Sequence, residues 1–250
     1  MDHSSGKTLR LEILIMRITV VIPAYNERDN IERLVSEVSS TLQDICEEFL
    51  IIFVYEGEDG GERLLELISE SSEFLSVVYS SKPLGIGGAL KCGFLMIPEG
   101  TSHVITMDAD LSHDPADIPN LIEVATTADI IVGSRYVKNG KFDQMPLVQK
   151  IISQLANFTI SVVFGIGAKD LSSNFRLYDA KVIKAIRDDI VFNDYAFFPE
   201  SLIIASRKGY KIKEVPITFY RRERGKSKLN LTRTGLAYVR LISMLFRERK

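Results

Sequence analysis

The sequence predicts an α/β protein with a mostly parallel, doubly wound sheet and flanking helices. Runs of apolar, β-branched residues alternate with segments in which apolar residues recur at helical spacing, a pattern typical of parallel strands joined by helical crossovers. Polar clusters such as "PAYNE", "DAD" and "GSR" directly follow the apolar runs, and ligands of such sheets bind at the carboxyl ends of the strands. No repeat or linker divides the sequence, so residues 17–250 are interpreted as one domain that follows a loose arm, 1–16.

The individual elements follow from local patterns. Continuous apolar runs are predicted as buried strands, at 18–25, 49–55, 75–80, 103–108 and 128–136. Segments typical of helices follow the first four strands, at 26–42, 61–70, 85–97 and 115–125. Asn26 is the cap candidate of the first helix. The second half is predicted to hold a long helix at 147–164, a turn at 170–178, a segment of helix and strand ending at 220, a basic loop at 221–228 and a terminal helix at 232–248.

Composition excludes several classes of protein. The 250 residues carry a net charge of −2, which gives no reason to expect a nucleic-acid partner. The two cysteines have no metal-ligand spacing and indicate a reducing compartment. The start "MDHSSGKTLR" lacks the apolar core of a signal peptide. Arg17 and Arg240 interrupt the longest apolar stretches, so no segment reaches the roughly 18 residues of a spanning helix.

The stretch "VITMDADLSHDP", 104–115, places two carboxylates at the end of a predicted buried strand. Asp108 and Asp110 could both face one hard cation, because Mg²⁺ and Mn²⁺ bind through one or two carboxylates together with substrate phosphates. A surface turn with two capping aspartates is the alternative, since D-x-D occurs often by chance. The pair alone leaves both interpretations open.

Two further motifs are given structural interpretations. "GIGGA", 85–89, lacks the G-x-G-x-x-G spacing of a dinucleotide site, so its glycines are predicted to start a helix that packs closely on its neighbours. The three histidines form no pair with ligand spacing. His113 is expected in a loop beside the carboxylate pair.

A set of motifs that occur in order identifies the chain as resembling the family-2 glycosyltransferases, and within them the dolichyl-phosphate (polyprenyl-phosphate) mannosyltransferases. The resemblance spans about 18–232 and is carried by "VVIPAYNERDNIERLV", "LGIGGALKCGF", "MDADLSHDP", "IVGSRY", "DLSSNFRLY" and "EVPITFYRRERGKSKL". It implies a nucleotide-sugar-binding fold of the GT-A type. It also implies a donor that is a sugar nucleoside diphosphate, with Mg²⁺ or Mn²⁺ as cofactor.

The resemblance also implies the site residues. The donor would contact Pro23, Tyr25, Glu27, Val54, Glu56, Asp108, Ala109, Asp110, Arg135, Arg222 and Lys228. Metal contacts would come from Asp108, Asp110 and Ser112, and acceptor contacts from Arg135 and Ser153. Asp110 and Arg222 are the catalytic candidates, because a leaving diphosphate needs a divalent cation and fixed cations. Arg222 and Lys228 flank Gly225, which could let the loop fold over the donor.

The implied reaction is metal-dependent, inverting transfer of a hexose, mannose from GDP-mannose, to a polyprenyl or dolichyl phosphate. Such an acceptor already carries an oxyanion, so positioning could replace a catalytic base. A sugar hydroxyl acceptor would instead need one, and Asp170 or Glu200 would then be the candidate. Two alternatives remain open: the same fold with another donor, such as UDP-glucose, or a glycan acceptor, and a catalytically weak homologue that binds a nucleotide or a partner.

A lipid acceptor would explain two amphipathic helices predicted in the second half of the chain. The helices at 147–164 and 232–248 combine apolar faces with polar or basic residues, as interfacial helices do. They predict a peripheral protein on the cytoplasmic face of a membrane, docked on lipid or on a small membrane protein. Packing helices of the core are the alternative.

Several positions depart from the family pattern. Tyr55-Glu56-Gly57-Glu58 stands where relatives have two aspartates followed by Gly-Ser. Gln149, with Lys150 beside it, stands where lipid-phosphate relatives tend to have an arginine. Asn174 replaces a small residue, and Pro199 replaces a glutamine. These differences place the identity of the nucleotide and of the acceptor in question.

Overall fold

The computed structural model describes residues 16–143, 147–222 and 231–247. Its nine strands are β1 Arg17–Tyr25, β2 Glu48–Glu56, β3 Leu75–Ser80, β4 His103–Thr106, β5 Ile130–Ser134, β6 Lys141–Phe142, β7 Arg176–Asp179, β8 Ile212–Pro216 and β9 Thr218–Phe219. The α-helices of these ranges are α1 Arg28–Gln43, α2 Gly61–Ser69, α3 Ile86–Leu95, α4 Ile118–Ile122, α5 Leu147–Phe164, α6 Ala180–Ile186, α7 Phe197–Arg207 and α8 Leu231–Arg247. The domain boundaries proposed from the sequence stay a prediction.

The main sheet has seven strands in the order β3-β2-β1-β4-β7-β5-β8, and β6 pairs with β9 separately. Neighbours in the main sheet are parallel except for β7, which runs antiparallel to both β4 and β5. The mostly parallel, doubly wound α/β fold expected from the sequence is therefore confirmed. The interpretation of 170–178 as a turn was wrong for its second part, because β7 begins at Arg176.

Successive residues of the central strands pack into hydrophobic cores on opposite faces of the sheet. Val20 and Ile22 of β1 belong to the cluster that buries α1, α2 and α4, whereas Val21 belongs to the cluster that buries α3, α6 and α7. This alternation is the period of two that a strand imposes on its side chains. Helices on both faces explain why the strand sequences are apolar throughout rather than alternating.

Several local expectations can be compared with the structure. The predicted cap Asn26 is wrong, because Glu27 is the N-cap of α1 and the side chain of Asn26 instead accepts a hydrogen bond from the N–H of Glu58. The packing interpretation of "GIGGA" is confirmed, since a Cβ on Gly87 would lie 2.7 Å from Cβ of Phe197. Met16, assigned to the arm, is 6% exposed in the core. Residues 1–15 lie outside the described ranges.

Candidate functional site

Parallel strands β1, β2 and β4 end at one edge of the sheet, and their ends carry the polar residues that define the candidate site. Tyr25, the last residue of β1, is in register with Glu56, the last of β2. β4 ends at Thr106, so that Asp108 and Asp110 lie in the loop beyond it. This is the edge where a doubly wound sheet binds ligands.

Asp110 is held in a tight turn. The following residue, Leu111, has a φ of 60°, a left-handed conformation that residues other than glycine rarely adopt. Oδ1 of Asp110 accepts hydrogen bonds from the N–H of Ser112, at 3.0 Å, and from the Ser112 hydroxyl. Ser112 is fully buried and thus positions Asp110. The metal contact predicted for Ser112 itself stays a prediction.

Among the described residues, Arg222 is the cation that forms ion pairs with the carboxylates of this site. Its guanidinium forms an ion pair with Oδ2 of Asp110 and lies 4.0 Å from Oε1 of Glu27. Partial burial works against the charged form of Arg222, but the surrounding carboxylates, led by Asp110, raise its pKa above the ordinary value. Arg222 therefore stays charged and balances part of the negative charge of these carboxylates.

Asp108 is anchored through both its main chain and its side chain. Its N–H donates to Nδ1 of His113 at 3.2 Å, and Nδ2 of Asn174 donates to its Oδ1 at 2.8 Å. His113 stacks on Phe175, with ring centroids 5.2 Å apart. Burial lowers the pKa of His113 below its usual value, although the nearby charge of Asp108 opposes this. The expected position of His113 beside the carboxylate pair is confirmed.

The residues assigned to the nucleoside differ in how accessible they are. Pro23 and Val54 are buried and in register on adjacent strands, whereas Tyr25 is 42% exposed. Glu56 is 4% exposed, and its carboxylate accepts a hydrogen bond from the N–H of Leu84 at 2.6 Å. Glu56 thus ties the end of β2 to the loop before α3. Ala109 is also buried, and the nucleoside contacts of this group stay a prediction.

Arg135 has a different environment from Arg222. Its guanidinium donates to both carboxylate oxygens of Asp170, at 2.7 Å each, and the two side chains are 9% and 0% exposed. Three aromatic rings lie within 5.1–5.6 Å of the guanidinium carbon, those of Tyr136, Phe142 and Phe219. Arg135 is committed to an internal ion pair with Asp170, and the predicted contact with a phosphate would have to be made in addition to that pair.

The acceptor-side residue Ser153 lies on α5 next to this ion pair. The hydroxyl of Tyr136 is 2.7 Å from Oγ of Ser153, and Asn157 donates to Oγ of Ser172, which itself accepts from Arg135. The Nζ of Lys150 lies 5.7 Å from the Phe142 ring centroid, so a second cation shares that ring with Arg135. The side chain of Gln149 lies outside the described residues.

The opposite face of α5 is apolar and exposed. Its large side chains are 45–70% exposed and follow helical spacing: Leu147, Ile151, Ile152, Leu155, Phe158 and Val162. The terminal helix α8 exposes Leu236 and Val239 while burying Ala237 and Leu241. None of the helices in the described ranges combines the length and apolar character needed to span a bilayer.

Neither carboxylate considered as a base is available at the open edge. Burial raises the pKa of Asp170, but the charge and hydrogen bonds of Arg135 hold it below the ordinary value. Glu200 is fully buried, and its two oxygens accept the N–H groups of Val191 and Phe192 at 3.0 and 2.9 Å. Both side chains have structural partners.

Asp108 and Asp110 fit a site for a divalent cation whose remaining ligands come from a bound substrate. Within the described ranges no group of three or more His, Cys, Asp or Glu side chains is arranged to hold a metal, so Asp108 and Asp110 are too few for an all-protein site. Oδ2 of Asp110 is buried and, among the same residues, accepts no regular hydrogen bond. Its ion pair in this structure is with Arg222, so a divalent cation at this oxygen would have to displace the guanidinium.

Two residues predicted for the site lie outside the described ranges, and one residue near the site was not predicted from the sequence. Lys228 and Gly225 fall outside the described residues, so the closing of the 221–228 loop stays a prediction. Tyr195 lies close enough to the site to sense its charges: burial raises its pKa first, and Asp108 contributes in the same direction. Nothing in the local pattern around Tyr195 singled it out.

The comparison with known families agrees with this geometry. The sequence model of the family Glycosyl transferase family 2 matches residues 19–187. The chain therefore belongs to this family and is a glycosyltransferase. Its fold is of the GT-A type, and the resemblance stated from the motifs is confirmed.

Individual relatives and structures point the same way. The chain is 32% identical to the undecaprenyl-phosphate mannosyltransferase of Micrococcus luteus, over 89% of this chain and 95% of that protein. It is 35% identical to the dolichol-phosphate mannosyltransferase of Pyrococcus furiosus, over 93% of this chain and 64% of that longer protein. A crystal structure of glucosyl-3-phosphoglycerate synthase from Mycobacterium tuberculosis with Mn²⁺, UDP and glucosyl-3-phosphoglycerate has a TM-score of 0.68, covering 99% and 85% of the two chains. At 18% identity, that likeness shows the fold alone.

Proposed function

We propose that the protein transfers mannose from GDP-mannose to a polyprenyl or dolichyl phosphate, with inversion at the sugar carbon and with Mg²⁺ or Mn²⁺ bound. The names of relatives at 32–35% identity support the sugar and the acceptor. The observation that carries the proposal is that Asp170 and Glu200, the two candidate bases, are both committed to internal partners. An acceptor that is already an oxyanion needs no base, whereas a hydroxyl acceptor does.

In the proposed reaction, an oxygen of the acceptor phosphate attacks the anomeric carbon. The new carbon–oxygen bond forms as the bond to the diphosphate breaks, and GDP leaves with the bonding electrons. Asp108 and Asp110 would hold the divalent cation, which when bound supplies positive charge to the leaving diphosphate. Arg222 would contribute a fixed cation at the same place. It lies on Asp110 in this structure, so donor binding would require it to exchange one anionic partner for another.

The acceptor phosphate would lie on the Arg135 side of the site. Arg135 and Lys150 both lie near the ring of Phe142. The hydroxyl of Ser153 is hydrogen-bonded to that of Tyr136, the residue next to Arg135. Lys150 offers a positive charge next to the position where relatives tend to have an arginine. The exposed apolar face of α5 adjoins this region and would rest on the bilayer that holds the polyprenyl chain.

A matrix of donors and acceptors tests the proposal. GDP-mannose and UDP-glucose are each incubated with undecaprenyl phosphate, dolichyl phosphate and the matching unphosphorylated polyprenol, in the presence of Mn²⁺. Transfer is expected from GDP-mannose to the phosphates and not to the polyprenol, with a β-configured product from the α-configured donor. Transfer to the polyprenol or to a glycan, or a product that keeps the α configuration, would contradict the proposal.

A further inference from the structure

One side-chain oxygen of Asp108 is bound by a neighbouring amide. Nδ2 of Asn174 donates to Oδ1 of Asp108 at 2.8 Å, and Asn174 is only 3% exposed. The reverse orientation of the amide would set its oxygen against Oδ1 of Asp108, two acceptors with no proton between them. The hydrogen-bond network therefore fixes the amide with its NH₂ group towards the carboxylate.

The main chain at Asn174 is fixed independently of this contact. Oγ1 of Thr106, the last residue of β4, donates to the carbonyl oxygen of Asn174 at 2.6 Å, and β7 starts at Arg176 directly beside β4. Because Thr106 leads into Asp108, the two partners extend from adjacent strands. The sheet itself sets the separation of the amide and the carboxylate.

The other carboxylate oxygen is left for a ligand. Oδ2 of Asp108 lies 3.7 Å from Nδ1 of His113, beyond hydrogen-bond distance, and that nitrogen accepts the N–H of Asp108. Within the described ranges, the carboxylate is thus hydrogen-bonded at Oδ1, and the nearest recorded contact of Oδ2 is the 3.7 Å approach of His113.

We propose that Asn174 is a positioning residue for the donor complex: its amide holds Asp108 so that Oδ2 alone is presented to the divalent cation. This inference rests on the proposed function, in which Asp108 binds that cation. Without the amide the carboxylate can rotate, and cation binding must then order it. Outer hydrogen bonds to metal-binding carboxylates change metal affinity by about 10–100-fold.

The test measures cation binding rather than turnover. The Mn²⁺ affinity of the full chain is determined by calorimetry with saturating GDP, and with UDP in a parallel arm, for the unmodified protein, Asn174→Ala and Asn174→Ser. The dissociation constant for Mn²⁺ is expected to rise about tenfold or more in both variants, while metal-free nucleotide affinity stays unchanged. Ser173→Ala is the matched control, since Ser173 is a buried neighbour whose Oγ accepts from the N–H of Phe175. Its Mn²⁺ affinity should not change.

Three results would overturn the positioning role. These are an unchanged Mn²⁺ affinity in both Asn174 variants, an equal loss in Ser173→Ala, and a loss of metal-free nucleotide binding in both Asn174 variants, which would make the amide a support of the fold. Asp108→Ala separates this inference from the proposed function. If Asp108→Ala weakens Mn²⁺ binding and the Asn174 variants do not, only the positioning role fails. If Asp108→Ala leaves Mn²⁺ binding intact, the proposed metal site itself is wrong.

Discussion

Arg222 and Arg135 were both expected to face a phosphate, yet they lie in opposite environments. The Arg222 side chain is 28% exposed and meets one oxygen of Asp110 in an ion pair at the open edge of the sheet. Arg135 is 9% exposed, is bound by both oxygens of a fully buried Asp170, and lies among three aromatic rings. The first pair has room to exchange partners. The second is enclosed and well suited to stabilise the fold.

The difference shows that residue type and motif predict chemistry, whereas burial decides how freely that chemistry is used. A buried, bidentate pair costs several kcal/mol to break, because an unpaired charge is left in a poorly solvated place. A partly exposed pair is worth far less. We therefore expect changes at Asp110 and Arg222 to affect turnover, and changes at Arg135 and Asp170 to affect stability first.

Asp110→Asn should have the largest effect on turnover, because it breaks the donor-side pair, the ion pair between Asp110 and Arg222. Removing the charge of Asp110 weakens cation binding and removes the ion pair between Asp110 and Arg222, so turnover is expected to fall by about 10³-fold. The circular dichroism spectrum and the midpoint of thermal unfolding should change little. Retained turnover would remove the metal role of Asp110.

Asp170→Asn tests the enclosed pair, the ion pair between Arg135 and Asp170, and should affect stability. It leaves the buried Arg135 charge without a carboxylate, and the free energy of unfolding is expected to fall by about 3–5 kcal/mol. Denaturant unfolding of the variant measures this loss. A double variant, Arg135→Met with Asp170→Leu, removes both charges and should recover part of the stability. An Asp170→Asn protein as stable as the unmodified chain would show that the enclosed pair contributes nothing.

Arg222→Ala tests whether the donor-side pair exchanges partners. Turnover is expected to fall by about 100-fold, because a fixed cation is lost from the leaving group. Mn²⁺ affinity without nucleotide should instead rise, since the cation no longer competes with the guanidinium for Asp110. Arg221→Ala, at the exposed neighbouring position, is the matched control. Nucleotide-free Mn²⁺ affinity that falls in Arg222→Ala would contradict the exchange.

The pH dependence of stability should report the ion pair between Arg135 and Asp170. The pKa of Asp170 is lower in the folded protein than the ordinary value, so its stabilising contribution is present above an unfolded-state pKa of about 3.9. That contribution is lost as the pH falls through the lower, folded-state pKa. The difference in unfolding free energy between the unmodified chain and Asp170→Asn should therefore be constant at neutral pH and shrink below about pH 4. A difference that persists at lower pH would assign the stabilisation to something other than the carboxylate charge.

The smallest predicted effect concerns the apolar helix beside the Arg135 pair. Leu155→Glu with Phe158→Glu places two charges on side chains that are 59% and 66% exposed. Binding to vesicles that contain an anionic phospholipid should weaken by about tenfold, with unchanged unfolding. Leu95→Glu, at a 65% exposed position on α3, is the control and should bind normally. Equal vesicle binding by all three proteins would argue against a docking role for α5.

Much of the fold and of the candidate site could be predicted from the sequence. The features that could not be predicted depend on the order of the strands in the sheet. Apolar runs located β1 to β5, and the position of Asp108 and Asp110 after β4 followed from the strand-end rule. The direction of β7 and its place between β4 and β5 had no local signal, because periodicity reports which face a residue occupies and not which strand lies beside it. For the same reason, the pairing of Arg135 with Asp170 and of Asn174 with Asp108 depends on sheet order.

The place of β7 also constrains the order in which the protein can assemble. β5 is hydrogen-bonded to β7 and β8, both of which come later in the chain, whereas β1, β2, β3 and β4 pair with one another. A chain growing from its amino terminus can therefore close the first four strands early, while β5 must wait for its neighbours. The turn that carries Asn174 arrives with β7, so the carboxylate loop stays incomplete until this late, long-range pairing forms. Long-range pairings form slowly, because the entropy cost of closing the loop comes before the stabilising contacts between the strands.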